Sequence, residues 1–161
     1  MLPDEVSSQH RQQVLIYGAS GSVGTFAVQL ARHLGAEVTG VCSTRNVDLV
    51  KSLGASKVID YTCEDFAAHG AMYDVIFDAV GKLQAGPGKA ALRPGGRLAT
   101  VATATHETPE DVDYLKVLVE ARALQPVIDR CYPLAEAAEA HRYVESGRKR
   151  GNLVITVEQT C

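Results

Sequence analysis

Between residues 14 and 36 a short apolar run meets a turn of small residues and then an amphipathic helix. No other feature constrains the chain as much. Val14-Leu15-Ile16-Tyr17 is β-branched and apolar and reads as a strand. Gly18-Ala19-Ser20-Gly21-Ser22-Val23-Gly24 forms the turn, and apolar Val23, Ala27, Leu30, Ala31 and Leu34 then recur at helical spacing until Gly35 stops them. Strand, glycine turn and helix in this order open a Rossmann unit. The helix start offers N–H groups without intrahelical partners and a positive partial charge to an anion. Gly21 lets a phosphate approach with no Cβ in its way, and Gly24 lets helix and strand pack closely. Measured against G-x-G-x-x-G, the first glycine position is Ala19, with Gly18 just before it. The chain is therefore expected to bind a dinucleotide.

Strand and helix periods keep alternating downstream. Residues 37–42, 57–60, 73–80 and 97–101 read as strands, with helices over 46–53 and ending over 89–92. Nearly continuous apolar strands imply a parallel sheet covered on both faces. The expected fold is α/β: a Rossmann-like, doubly wound parallel sheet of order 3-2-1-4-5, with the ligand over strands 1 and 4. A helix-strand-helix-strand tail follows. Its helix from Pro109 to about Ala123 uses Val112, Leu115, Leu118 and Val119 as an apolar face. The tail continues with a strand over 125–129, an alanine-rich helix over 134–144 and a last strand over 153–157. Residues 1–13 read as a polar segment and residues 14–161 as one domain.

A net charge of −3 gives no reason to expect nucleic acid or an acidic membrane as partner. No apolar run approaches the roughly 18 residues of a membrane span. The start lacks the apolar core of a secretory signal, so a cytoplasmic location is expected. Cys42, Cys63, Cys131 and Cys161 lie far apart with no C-x-x-C pair, so no metal site is expected and the thiols are read as free. His10, His33, His69, His106 and His141 form no cluster with an acid or nucleophile, and no catalytic residue is assigned.

NAD-specific Rossmann units place an acid at the end of the second strand to hold ribose hydroxyls. Here Cys42-Ser43-Thr44-Arg45-Asn46 stands there instead. Hydroxyls and a guanidinium suit a 2′-phosphate, so NADP(H) is expected in preference to NAD(H).

The run from Val14 to Asp60, the segments YDVIFDAVG and RPGGRLATVA, and the ending LQPVIDRCYPLAEAAEAHRYVESGRKRGNLVITV resemble the cofactor domain of the medium-chain dehydrogenase/reductase superfamily. Within it the chain is most similar to the zinc-independent, quinone oxidoreductase-like branch, which is also alcohol dehydrogenase-like. The resemblance implies that Ser20, Gly21, Ser22, Val23 and Gly24 face the pyrophosphate, and that Ser43, Arg45 and Tyr61 hold the 2′-phosphate. It implies further that Val80 and Gly81 line the ribose and adenine side, that Val101, Ala102 and Thr103 approach the nicotinamide, and that Asn152 reaches the cofactor.

Two departures from the family stand out. The chain shows no GroES-like substrate domain before Val14. The helix and sixth strand that the family inserts after the fifth strand are reduced to residues 102–108. The resemblance implies an NADP(H)-dependent oxidoreductase that moves hydride to or from a carbonyl, enone or quinone. The isolated chain is expected to bind cofactor and turn over little. The alternative is a non-catalytic NADP(H)-binding sensor or subunit module. The last strand is expected to lack its family neighbour, and uncovered sheet edges favour a homodimer.

Overall fold

Apolar side chains alternate across the first strand and bury on both of its faces. In β1 (Gln13–Tyr17), Val14 and Ile16 join one buried cluster and Leu15 the other. A computed structural model describes residues 11–70, 72–103 and 105–157. Most of the polar 1–13 segment, His10 and Cys161 lie outside these residues, as does the side chain of His69.

β1 is followed by α1 (Ser22–His33), β2 (Glu37–Cys42), α2 (Val47–Ser52), β3 (Lys57–Asp60), β4 (Tyr73–Asp78), α3 (Ala85–Ala90) and β5 (Leu92–Thr100). The five strands form one parallel sheet in the order β3-β2-β1-β4-β5, as expected. One cluster brings Val28 of α1 and Val50 of α2 to Val14, Ile16 and Val38. On the opposite face Phe66, Ala91 and Leu83 cover Leu15, Val41, Ile59 and Ile76. Both faces of the inner strands are thus dry, whereas β5 buries no residue fully, and every candidate residue at a strand end is left on one edge of the sheet.

The helix faces differ from expectation. Val23 and Leu34 are exposed, and α1 instead buries Gly24, Thr25, Val28 and Gln29. Gln29 is tolerated inside because its amide is fully used. Its nitrogen donates to the carbonyls of Thr25 (3.0 Å) and Gln125 (2.9 Å), and its oxygen accepts from the Gln125 N–H (2.9 Å).

β4 stops at Asp78, two residues short of the expected end, because its carboxylate turns the chain at Val80 and Gly81. The short helix ends at Ala90, and β5 begins at Leu92 instead of Arg97. The Arg93-Pro94-Gly95-Gly96 stop is absorbed as an irregularity inside β5: Leu92 faces Tyr73 and Arg97 faces Val75.

The tail holds α4 (Pro109–Glu120), β6 (Ile128–Pro133), α5 (Ala137–Glu145) and β7 (Asn152–Thr156). Thr108 and Asp111 form a reciprocal capping box, with Pro109 at the first helical position. Of the expected α4 face only Leu118 is buried, while Val112, Leu115 and Val119 stay open. Leu115 and Val119 instead face Phe26 and Leu30 of α1 across an apolar groove of about 550 Å³.

The first tail strand starts three residues later than expected. Before it, Gln125 is clamped by Gln29 and the Val127 carbonyl is taken by the Asn152 N–H (2.8 Å). β7 does not lack a neighbour: it pairs in parallel with β6 as a separate two-stranded sheet.

Candidate functional site

The turn after β1 is built to come close to other backbone. Gly18 has φ +80°, and a Cβ there would sit 2.2 Å from Val80 Cγ2. The N–H groups of Gly18 (3.1 Å) and Ala19 (2.9 Å) both donate to the Val41 carbonyl, which fixes the turn against β2. Ala19 is fully buried, and its methyl packs where a Cβ on Gly40 would intrude. This packing explains how an alanine can stand in the first glycine position. A Cβ on Gly21 would meet only the Gly18 carbonyl, at 3.5 Å, so the space above Gly21 is open. α1 begins immediately afterwards and directs its first-turn N–H groups there.

The turn before β7 straps this loop from outside. Gly151 N–H donates to the Ser20 carbonyl (2.9 Å), and the Ser22 hydroxyl donates to the Gly151 carbonyl (2.9 Å). Lys149 Nζ donates to Ser22 Oγ (2.5 Å) and to the Gly151 carbonyl (2.6 Å). Burial pulls the Lys149 ammonium below its ordinary pKa, with Asp129 opposing. Asn152 spends its amide on the Val127 carbonyl (3.4 Å) and lines the apolar groove beside Ser22 and Val23. Lys149 is therefore a cation bound to the glycine turn, a contact the sequence reading gave to no residue.

At the end of β2, buried Asn46 bridges two candidate residues. Its side-chain nitrogen donates to Ser20 Oγ (3.0 Å) and Ser43 Oγ (3.2 Å), and its oxygen has no partner among the described residues. Arg45 is exposed and donates from Nη2 to the Gly147 carbonyl (3.1 Å). It forms one wall of a polar cavity of about 380 Å³ that is also lined by Asp129, Arg130, Tyr143, Arg148 and Arg150. Four guanidinium groups thus meet one carboxylate. That carboxylate is already engaged by Tyr143 Oη (2.8 Å), the Arg150 N–H (3.0 Å) and, at 3.9 Å, Arg150 Nε. These bonds hold Asp129 below the ordinary carboxylate range even though burial opposes them. Arg130 stacks on the Tyr143 ring at 3.9 Å. The cavity gathers cationic side chains in a chain of net charge −3. The charge run Arg148-Lys149-Arg150 was the available signal for it.

An acid also stands nearby, supplied by the adjacent strand. Asp60 ends β3 in register with Cys42, so the sheet brings it beside the end of β2. Hydrogen bonds from Thr44 Oγ1 (2.5 Å), then from the Thr62 hydroxyl (2.6 Å) and N–H (2.9 Å), hold its pKa at about 2. The folded value lies below the ordinary 3.8, so these bonds add stability above that pH and lose it as pH falls towards 2. Burial, with Asp60 second, pushes the Cys42 thiol up to about 11, which leaves it unreactive. Among the described residues Tyr61 is tied through its N–H, to the Cys42 carbonyl (3.1 Å), and its ring is exposed.

Val80 and Gly81 follow β4, and Val101, Ala102 and Thr103 follow β5. All five stand on the same sheet edge as the glycine turn. Val80 leans on Gly18, and Gly81 abuts Val101 and Ala102. Across this edge β1 lies beside β4 while their helices leave in opposite directions, which opens the crevice where such sheets bind ligands. His106 lies beyond this edge and is exposed, and no group of three or more metal-ligating side chains occurs among the described residues.

Residues 22–154 match the family described as zinc-binding dehydrogenase. The NADPH-dependent alkenal/one oxidoreductase of Arabidopsis thaliana chloroplasts is 31 % identical, over 89 % of this chain and 40 % of its own. A chloroplastic quinone-oxidoreductase of Triphysaria versicolor is 34 % identical, over 92 % of this chain and 53 % of its own. The quinone oxidoreductase of Coxiella burnetii superposes with a TM-score of 0.75 at 30 % identity, covering 91 % of this chain and 53 % of its own. The chain spans about half the length of these relatives. Two of them are chloroplastic by name, so the likeness does not extend to the cytoplasmic location expected above. The chain belongs to the zinc-binding dehydrogenase family, within the medium-chain dehydrogenase/reductase superfamily and among its quinone oxidoreductase-like members.

Proposed function

We propose that this chain is an NADP(H)-binding domain serving an oxidoreductase that passes hydride to or from a carbonyl, enone or quinone. The observation that carries the reading is the pairing of an open phosphate turn at Gly21 with the arginine cavity at the end of β2. Ser20, Ser22 and the first turn of α1 would hold the pyrophosphate, with Lys149 beside it. Ser43, Arg45 and Arg148 would hold the 2′-phosphate, and Val101, Ala102 and Thr103 would lie towards the nicotinamide. The bound nicotinamide supplies the hydride chemistry, and this chain's residues bind and orient it. The name of the Arabidopsis thaliana relative, an NADPH-dependent enzyme, supports the choice of cofactor.

Asp60 favours a second reading, because a carboxylate beside the end of β2 can accept from ribose hydroxyls as NAD-binding sites do. Fluorescence titration with NADPH and NADH separates the two. Tighter NADPH supports the proposal, and equal affinity overturns it.

The reading includes no metal. Cys42 is buried, Cys63 and Cys131 stand apart, and the described residues group no ligands. Elemental analysis of protein purified without added metal is expected to find far less than one zinc per chain. One equivalent that survives a chelator would overturn this.

The reading also includes a homodimer through the outer edge of β5, which among the described residues pairs only with β4 and exposes Leu98 with Val101 just beyond it. Light scattering at micromolar concentration should give twice the chain mass. A clean monomer would remove the dimer from the reading.

A further inference from the structure

Asp78 ends β4 with only 2 % of its surface exposed, and none of the ion pairs among the described residues involves it. A buried carboxylate is tolerated only where donors or a cation replace its water, and here hydrogen-bond donors do all of it. Oδ1 accepts from the N–H groups of Val80 (3.0 Å) and Gly81 (2.9 Å). Oδ2 accepts from the Leu83 N–H (2.9 Å) and the Thr100 hydroxyl (3.3 Å). Thr100 Oγ1 in turn accepts from the Ala102 N–H (3.2 Å).

One oxygen is enough for an aspartate to turn its own chain. The second oxygen reaches across to the neighbouring strand, which the β4 turn does not require. That link joins two loops already in contact: a Cβ on Gly81 would lie 3.4 Å from Ala102 Cβ and 3.6 Å from Val101 Cγ2. On the other side Val80 lies against Gly18 of the phosphate turn.

We propose that Asp78 is a positioning residue for the dinucleotide: its two oxygens set the adenosine-side loop at Val80 and Gly81 and, through Thr100, the nicotinamide-side loop at Val101 and Ala102. This rests on the cofactor reading above. Neither Asp78 nor Thr100 need touch the ligand. Their effect is to hold the two loops at one fixed separation, so that both halves of the cofactor find their seats already formed.

The test compares NADPH with 2′,5′-ADP, which carries the adenosine half alone, on the chain as it stands. Thr100→Val keeps the side-chain shape and removes the hydroxyl. It is expected to weaken NADPH about fivefold, the worth of one hydrogen bond, and to leave 2′,5′-ADP within twofold. Thr100→Ser should restore NADPH. Asp78→Asn puts an amide N–H₂ where an acceptor is needed and is expected to weaken both ligands by more than about tenfold. A purely structural role would move both ligands by the same factor in Thr100→Val. Such equal shifts, or no shift in Thr100→Val, would overturn the proposal while leaving the cofactor reading intact. A wild-type chain that binds neither ligand overturns the cofactor reading and this proposal with it.

Discussion

Gly24→Ala is expected to damage the fold, whereas Gly21→Val should spare the fold and remove the ligand. The two glycines stand three residues apart in one turn, yet the space around them differs. A Cβ on Gly24 would lie 2.1 Å from the Gly18 carbonyl oxygen and 2.9 Å from Ala19 Cα. These are backbone atoms of a turn held at both ends by hydrogen bonds, so relief requires α1 to move away from β1. α1 carries Thr25 and Val28 into the core, and that movement opens the packing against Val14 and Ile16. Overpacking of this kind costs about 3 kcal/mol and should lower the melting temperature by about 10 °C. Gly21 has φ −81° and ψ −178°, extended backbone that any residue adopts, and its missing Cβ would have one ordinary contact. Valine is accommodated there, and its branches fill the space left for the phosphate. Gly21→Val should therefore melt within about 2 °C of wild type, a surface-like effect, and lose NADPH binding. Thermal melts and titrations on both variants decide it. A Gly21→Val protein that binds NADPH normally would show that no phosphate sits above that turn.

The same turn shows why this part of the chain could be read in advance. A helix period directly after a strand period, joined by glycines, leaves one low-energy way to connect them, and parallel apolar strands then set the sheet order. The tail had no such restriction. The clamp between Gln29 and Gln125 that delays β6 spans 96 residues of sequence and has no local signature. The pairing of β6 with β7 was equally invisible, since it joins two short strands across α5. Periodicity also misjudged α4. A helical apolar stripe shows which residues could be buried, and only Leu118 finds a partner surface that closes over it.

The candidate site divides in the same way. Residues contiguous with the strand ends, from Ser20 to Gly24 and at Ser43, Arg45, Val80 and Gly81, were legible because a parallel sheet puts all its carboxyl ends on one edge. Asp60, Arg148 and Lys149 arrive by register or by a returning loop. The absence of an acid after Cys42 was correct along the chain and incomplete in space, because the acid comes from the next strand. Asn46 was read only as a helix start, and its bridge between Ser20 and Ser43 required the fold.

Whether arginines or the aspartate govern this edge is decided by Arg45→Ala. The guanidinium of Arg45 is held by the Gly147 carbonyl at 3.1 Å and faces a cavity whose other cations are Arg130, Arg148 and Arg150. Asp129, the acid within that cavity, is engaged by Tyr143 and Arg150, so the arginines carry an uncompensated positive charge. A 2′-phosphate placed there gains charge-assisted hydrogen bonds, and a 2′-hydroxyl gains little. Removing Arg45 should therefore weaken NADPH by about 1.5–3 kcal/mol, roughly 10- to 150-fold, and leave NADH unchanged. Arg45 is exposed, so the difference should shrink as salt is raised. Arg45→Lys should recover only part of it, because an ammonium cannot reproduce the planar fork. Asp60 keeps its charge down to about pH 2, so its repulsion of a phosphate is constant across the working range. Asp60→Asn should then tighten NADPH if the arginines set the preference. If Asp60 instead holds ribose hydroxyls, Asp60→Asn weakens NADH and Arg45→Ala lowers both cofactors equally. That pattern would reassign the site to NAD(H).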